Sequence, residues 1–104
     1  MISQELKKVA DYYGYEAQSN QLVEECAELI QAVSKYRRAV LGNGQPTAKG
    51  IKEVALENII EEIADVEVML EQIKYLLQIP DEDIEAVKLF KENRTKERMR
   101  SKGA

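Results

Sequence analysis

The chain has 104 residues with 19 acidic and 15 basic side chains, one cysteine, no histidine and no tryptophan. That length predicts a single domain, residues 1–104. Without histidine the commonest general base and imidazole ligand are gone, and with them Ser-His-Asp and Cys-His catalysis, haem, zinc and Glu-x-x-His di-iron sites.

The lone Cys26 cannot close an internal disulfide and reads as a small core residue of a reduced, cytoplasmic protein. No 18-residue apolar run exists, and MISQELKKVADYY lacks the charged-then-apolar order of a signal peptide, so no membrane partner is expected. A net charge of −4 disfavours duplex nucleic acid, whose binders present a positive face.

Between a few Gly and Pro positions the pattern is helical throughout. Residues 3–13 predict a short helix, with Ser3 as N-cap and Gly14 as the stop. A second helix is expected over about 18–41, where Leu22, Cys26, Leu29, Val33, Tyr36 and Val40 recur at three- and four-residue spacing. The breaker-rich stretch GNGQPTAKG, residues 42–50, predicts the main flexible loop and an antiparallel turn.

A third helix over about 51–78 carries Leu56, Ile59, Ile63, Val66, Leu70, Ile73 and Leu77 on one stripe. Pro80 breaks it, and Asp81 is the expected cap of a last helix whose inner side is Ile84, Val87, Phe90 and Arg94. The predicted fold class is all-α, a four-helix bundle-like domain with a basic C-terminal helix from about 81. The third helix has more apolar surface than its short partners cover, so a homodimer or homotetramer is expected.

Two acidic patterns stand out, Glu24-Glu25-Cys26-Ala27-Glu28 and Glu61-Glu62-Ile63-Ala64-Asp65. At about 100° per residue, Glu25 and Glu28 share one flank of their helix, as do Glu62 and Asp65 on theirs. Glu25 borders the apolar stripe, and Glu62 continues the row Val66, Met69, Ile73 and Leu76, which places these carboxylates at a helix-helix seam. Residues 53–72 hold seven acids and no base. A hard divalent cation is the economical partner for such repulsion, and all-oxygen ligation suits Mg²⁺ or Mn²⁺. Glutamate is also a strong helix former, and an acidic run on a helix is often a solvated face.

With EECAE at 24–28 and EIAD at 62–65, the sequence resembles the MazG-like all-α nucleoside triphosphate pyrophosphohydrolases. The likeness extends through ECAELIQAVSKYRR, EEIADVEVML and KLFKENRTKERM, covering about 21–99. It implies Mg²⁺-dependent cleavage between the α- and β-phosphates of a (deoxy)nucleoside triphosphate, yielding monophosphate and pyrophosphate. By that resemblance Glu25, Glu28, Glu62 and Asp65 would ligate metal, while Glu24 or Glu61 would orient or deprotonate the attacking water. The 33 residues between Glu28 and Glu62 exceed the spacing usual in that family, and the GNGQPTAKG stretch accounts for the surplus.

Phosphate contacts should be basic. Lys35 lies seven residues after Glu28 on nearly the same flank, and Arg38 follows it. Residues 88–104 carry a net +5, against −9 over 1–87, and Lys88, Lys91 and Arg94 are the candidates there. Bases at a helix C-terminus also complement its dipole. For base recognition, Gln21 and Asn58 each lie one turn before a metal-ligand candidate, and Tyr12, Tyr13 and Tyr15 cluster near the first helix end. Surface, capping or packing roles suit these residues equally. Two rival readings are a phosphoribosyl-ATP pyrophosphohydrolase-like enzyme and a non-catalytic helical interaction module.

Overall fold

The computed structural model describes residues 1–42 and 50–103. These form three helices and, among the described residues, no strand: α1 is Gln4–Val40, α2 is Ile51–Leu76 and α3 is Asp81–Ser101. Most of the expected loop, residues 43–49, lies outside the described residues.

Ser3 caps α1 as its type predicts, its Oγ accepting from the Leu6 N–H at 3.1 Å. At Gly14 the backbone leaves the helical region, with φ 82° and ψ 171°, a conformation essentially restricted to glycine. The sequence pattern separates helices at 3–13 and 18–41, whereas the chain resumes helix at once and makes one bent element. The physical reason is that Tyr15, Glu16 and Ala17 include no breaker, so a single glycine interrupts the helix without starting a loop.

The end of α2 is built without glycine. Gln78 takes φ 56°, its N–H donates to the Tyr75 carbonyl at 3.1 Å, and the Ile79 N–H donates to the Lys74 carbonyl at 2.9 Å. This pair of reversed bonds satisfies carbonyls that a helix end otherwise leaves open. Asp81 does not cap α3 but is its first residue, and the N-cap position is held by Pro80, which offers no side-chain bond. Instead the Lys74 ammonium donates to Asp81 Oδ1 at 3.1 Å, and that bond holds the Asp81 carboxyl below the ordinary range.

Helices α1 and α2 run antiparallel, with Gln18 bonded to Gln72 near one end and Tyr75 OH donating to Asp11 at 2.8 Å beyond it. The Lys7 ammonium lies 5.8 Å from the centre of the same Tyr75 ring. Among the described residues, those buried are Ala10, Gln18, Ala32, Ala55, Val66, Met69 and Gln72. Small side chains at Ala32 and Ala55 let the two helices approach closely. Gln18 Nε2 donates to Gln72 Oε1 at 2.7 Å, and Gln72 Nε2 in turn reaches the Val68 carbonyl at 3.4 Å.

The predicted apolar stripes are only partly enclosed. Val66 is buried, Leu22, Cys26, Leu29, Tyr36, Ile59 and Ile73 are half-buried, and Val33, Val40, Leu56, Ile63, Leu70 and Leu77 are exposed. Two helices share one line of contact, so a stripe wider than that line stays open. Helix α3 buries no residue; Ile84 is half-buried, and Val87 and Phe90, expected on its inner side, are exposed. The radius of gyration is accordingly 18.0 Å, against about 13 Å for a compact chain of 100 residues. Among the described residues no helix is long and apolar enough to cross a membrane.

Two stability outcomes are expected in chemical denaturation. Gln72→Leu should cost about 1–3 kcal/mol by stranding the buried Gln18 amide, while Gln18→Leu with Gln72→Leu recovers most of the loss. Gln78→Gly should stabilise by up to about 1 kcal/mol, because the left-handed conformation strains a residue with a Cβ.

Candidate metal centre

Three facing pairs mark the register of the α1–α2 hairpin. Gln18 meets Gln72, Glu25 faces Asp65, and Glu28 faces Glu62. The residue numbers of each pair add to 90, as an antiparallel pair of straight helices requires. Because Glu25 and Glu28 are one turn apart, and Glu62 and Asp65 likewise, this register draws four carboxylates together. One oxygen from each of Glu25, Glu28, Glu62 and Asp65 lies within 4.8 Å of all the others.

The electrostatics are strained. Glu25 and Glu62 are half-buried, and the Oε2 atom of each is shielded from solvent with no hydrogen-bond partner. Gln21 Nε2 donates to Glu25 Oε1 at 2.7 Å and draws that carboxyl downward. Desolvation and the charges of Glu28 and Asp65 outweigh the bond, leaving Glu25 above its ordinary value. Glu62 is raised as well, first by desolvation, then by Glu28, Asp65 and Glu25.

The donor set fits a hard cation. Four carboxylate oxygens are the ligand type that Mg²⁺, Mn²⁺ and Ca²⁺ prefer. Oxygens on opposite sides of such an ion sit roughly 4–5 Å apart, twice a metal–oxygen distance of about 2.0–2.6 Å, and the observed spread is within that span. The two unpartnered oxygens are the kind of groups that a cation satisfies.

A cavity of about 230 Å³ adjoins the carboxylates, lined by Glu28, Gln31, Ala32, Lys35, Asn58 and Glu62. Lys35 and Asn58 line this cavity, and Gln21 is bonded to Glu25 of the set. Gln31 is the residue that sequence reasoning missed; its position one turn after Glu28 is the signal for it. Glu24 and Glu61 are exposed neighbours in the chain and do not belong to the converging four. Arg38 is exposed and does not line the cavity.

No α3 residue lines it either. Lys88 pairs with Glu85 at 3.4 Å, the Arg94 guanidinium lies 6.0 Å from the Phe90 ring centre, and Lys91 is exposed. Tyr12 and Tyr13 stack edge to face at 4.8 Å and, like Tyr15, are exposed. Two further cavities, of about 240 and 430 Å³, surround Lys74, Tyr75 and Ile79. There the polar groups already answer one another, Lys74 to Asp81 and Tyr75 to Asp11.

No family model, curated protein or solved structure matches this chain.

The raised carboxyls set the sign of a pH effect. Protonation is favoured in the folded state, so their contribution is most favourable below the ordinary carboxylate value and is lost as pH rises through the raised one. Without divalent cation, Glu62→Gln should therefore raise the melting temperature at pH 7 and raise it less near pH 4.5. Scanning calorimetry in chelator measures both differences.

Proposed function

We propose that the chain is a Mg²⁺-dependent nucleotide pyrophosphohydrolase of the MazG-like kind, acting on a (deoxy)nucleoside triphosphate between its α- and β-phosphates. The observation that carries the reading is the convergence of Glu25, Glu28, Glu62 and Asp65 across α1 and α2. These are the four positions that the EECAE and EIAD motifs single out, and the unpartnered oxygens of Glu25 and Glu62 favour the same interpretation.

Glu25, Glu28, Glu62 and Asp65 would hold Mg²⁺ or Mn²⁺. Such an ion supplies charge neutralisation at phosphoryl oxygens and acidifies water, which a chain without histidine otherwise lacks. The cavity next to the carboxylates presents the Lys35 ammonium and the amides of Gln31 and Asn58, donors suited to phosphate oxygens or a base edge. Gln21 orients Glu25 through its 2.7 Å bond. Glu24 and Glu61, exposed beside the set, are the carboxylates free to accept a proton from water. Arg38, Lys88, Lys91 and Arg94 enter this reading only as an outer basic surface, since none lines the cavity.

The test is a panel of nucleoside triphosphates incubated with the protein and Mg²⁺, with monophosphate and pyrophosphate measured. Turnover is expected, and Glu62→Gln or Asp65→Asn should reduce kcat/KM by roughly 10²–10³ or more with helical circular dichroism retained. Millimolar Mg²⁺ or Mn²⁺ should also raise the wild-type melting temperature. No turnover of any nucleotide and no stabilisation by either ion would overturn the enzyme reading in favour of a helical interaction module.

A further inference from the structure

Five bases of the last helix share one side of it. At about 100° per residue and taking Lys88 as zero, Lys102, Lys91, Arg98 and Arg94 lie at about −40°, −60°, −80° and −120°. The acids of the same stretch, Glu92 and Glu97, lie outside that sector, at about +40° and 180°. Lys102 is the C-cap residue of α3, so the line of bases runs from Lys88 to the helix end, about 21 Å at a rise of about 1.5 Å per residue.

All five are exposed, and α3 buries no residue. Among the described residues, Lys88 alone of the five stands in an ion pair, with Glu85 at 3.4 Å. The other four follow one another at three- and four-residue spacing, where like charges on a helix repel. Phe90 adjoins the line at 65 % exposure, and the Arg94 guanidinium lies 6.0 Å from its ring centre. We infer that this stripe binds the phosphate backbone of a single-stranded nucleic acid, with Phe90 stacking on one of its bases. None of the five bases lines the cavity beside the carboxylates, so this surface is separate from the proposed hydrolytic site.

Charge, an aromatic neighbour and the shape of the helix select that occupant. A strand with one phosphate per about 3.4 Å of axis supplies anions along the same line as the bases. A carboxylate-rich peptide answers those charges but leaves Phe90 uncovered, whereas a single strand offers phosphates to the bases and a π-face to the ring. A membrane surface requires an apolar face, and this stretch has none, since Met99, Leu89 and Phe90 lie at about +20°, +100° and −160°. A duplex carries one charge per about 1.7 Å, twice the density of one strand, and residues 1–87, with a net −9, repel it. The whole-chain charge of −4 thus opposes a duplex, while residues 88–104, with a net +5, admit a single strand.

The experiment titrates the full chain into a fluorescein-labelled oligothymidylate of about 20 nucleotides, long enough to span the stripe, and reads anisotropy in chelator at several salt concentrations. Binding is expected, with log K falling against log salt at a slope of about −3.5, or about −0.7 for each of the five phosphate contacts. Lys91→Gln with Arg98→Gln should flatten that slope by about 1.4. Phe90→Ala should weaken binding by about five-fold or more and leave the slope unchanged. Lys8→Gln, which removes an exposed base of α1, should change neither quantity. Since α3 buries no residue, the α3 variants should keep the helical circular dichroism of the wild type. No binding at low salt, a double variant with the wild-type slope, or a Phe90→Ala variant that binds as well as the wild type would overturn the inference. So would a duplex of the same length that binds as tightly, or displacement of the strand by polyglutamate or phosphatidylserine vesicles as readily as by unlabelled oligothymidylate. The oligonucleotide carries no triphosphate and the chelator removes divalent cations, so the outcome is independent of the proposed activity.

Discussion

The mutual repulsion of Glu25, Glu28, Glu62 and Asp65 is the constraint around which the hairpin is organised. Four carboxylates within 4.8 Å oppose the close approach of the helices that carry them, and two are raised above their ordinary values in response. The seam is held on both sides of the cluster. On one side the Gln18–Gln72 amide bond fixes register, and on the other the buried Ala32 and Ala55 bring the backbones together. A buried polar pair specifies register better than it adds stability, because any slip leaves an amide unsatisfied. Glu25 and Glu28 then meet Asp65 and Glu62 as a consequence of where Gln18 meets Gln72.

That arrangement exchanges stability for a charged seam. Small residues and amides occupy the line of contact where larger apolar side chains would contribute more burial. Most leucines and isoleucines of the hairpin sit beside the seam, half-covered or open. A cation between the carboxylates would relieve that repulsion from within the seam.

Much of this was legible in the sequence, and the exceptions have physical causes. Three- and four-residue spacing located the helices, and one-turn spacing placed each carboxylate pair on a common flank. The pairing of Glu28 with Glu62 was not readable, because it depends on the register set by Gln18 and Gln72, 54 positions apart. Gly14 has the character of a stop because glycine commonly ends helices, yet the residues after it favour helix and the chain only bends. Gln78 gave no warning of its left-handed turn, since the local composition that normally marks such a cap is missing. Periodicity showed which residues of α3 share a side, but not whether a neighbour exists to cover them.

The disposition of α3 follows from the same limits. Its stripe is apolar at Ile84, Val87 and Phe90 and basic from Lys91 through Arg94 to Arg98, and all but Ile84 are exposed. The hairpin it follows carries the opposite charge, with seven acids between residues 53 and 72. Attraction between these segments is screened over about 8–10 Å at moderate salt, so it acts only once apolar contact has brought the surfaces together. Within one chain that contact stops at Ile84, and the basic half of α3 is left apart from the carboxylates. The acidic seam and the basic helix are thus separate features of one copy, and any joint action on an anionic ligand requires α3 to find an apolar surface that its own hairpin does not present to it.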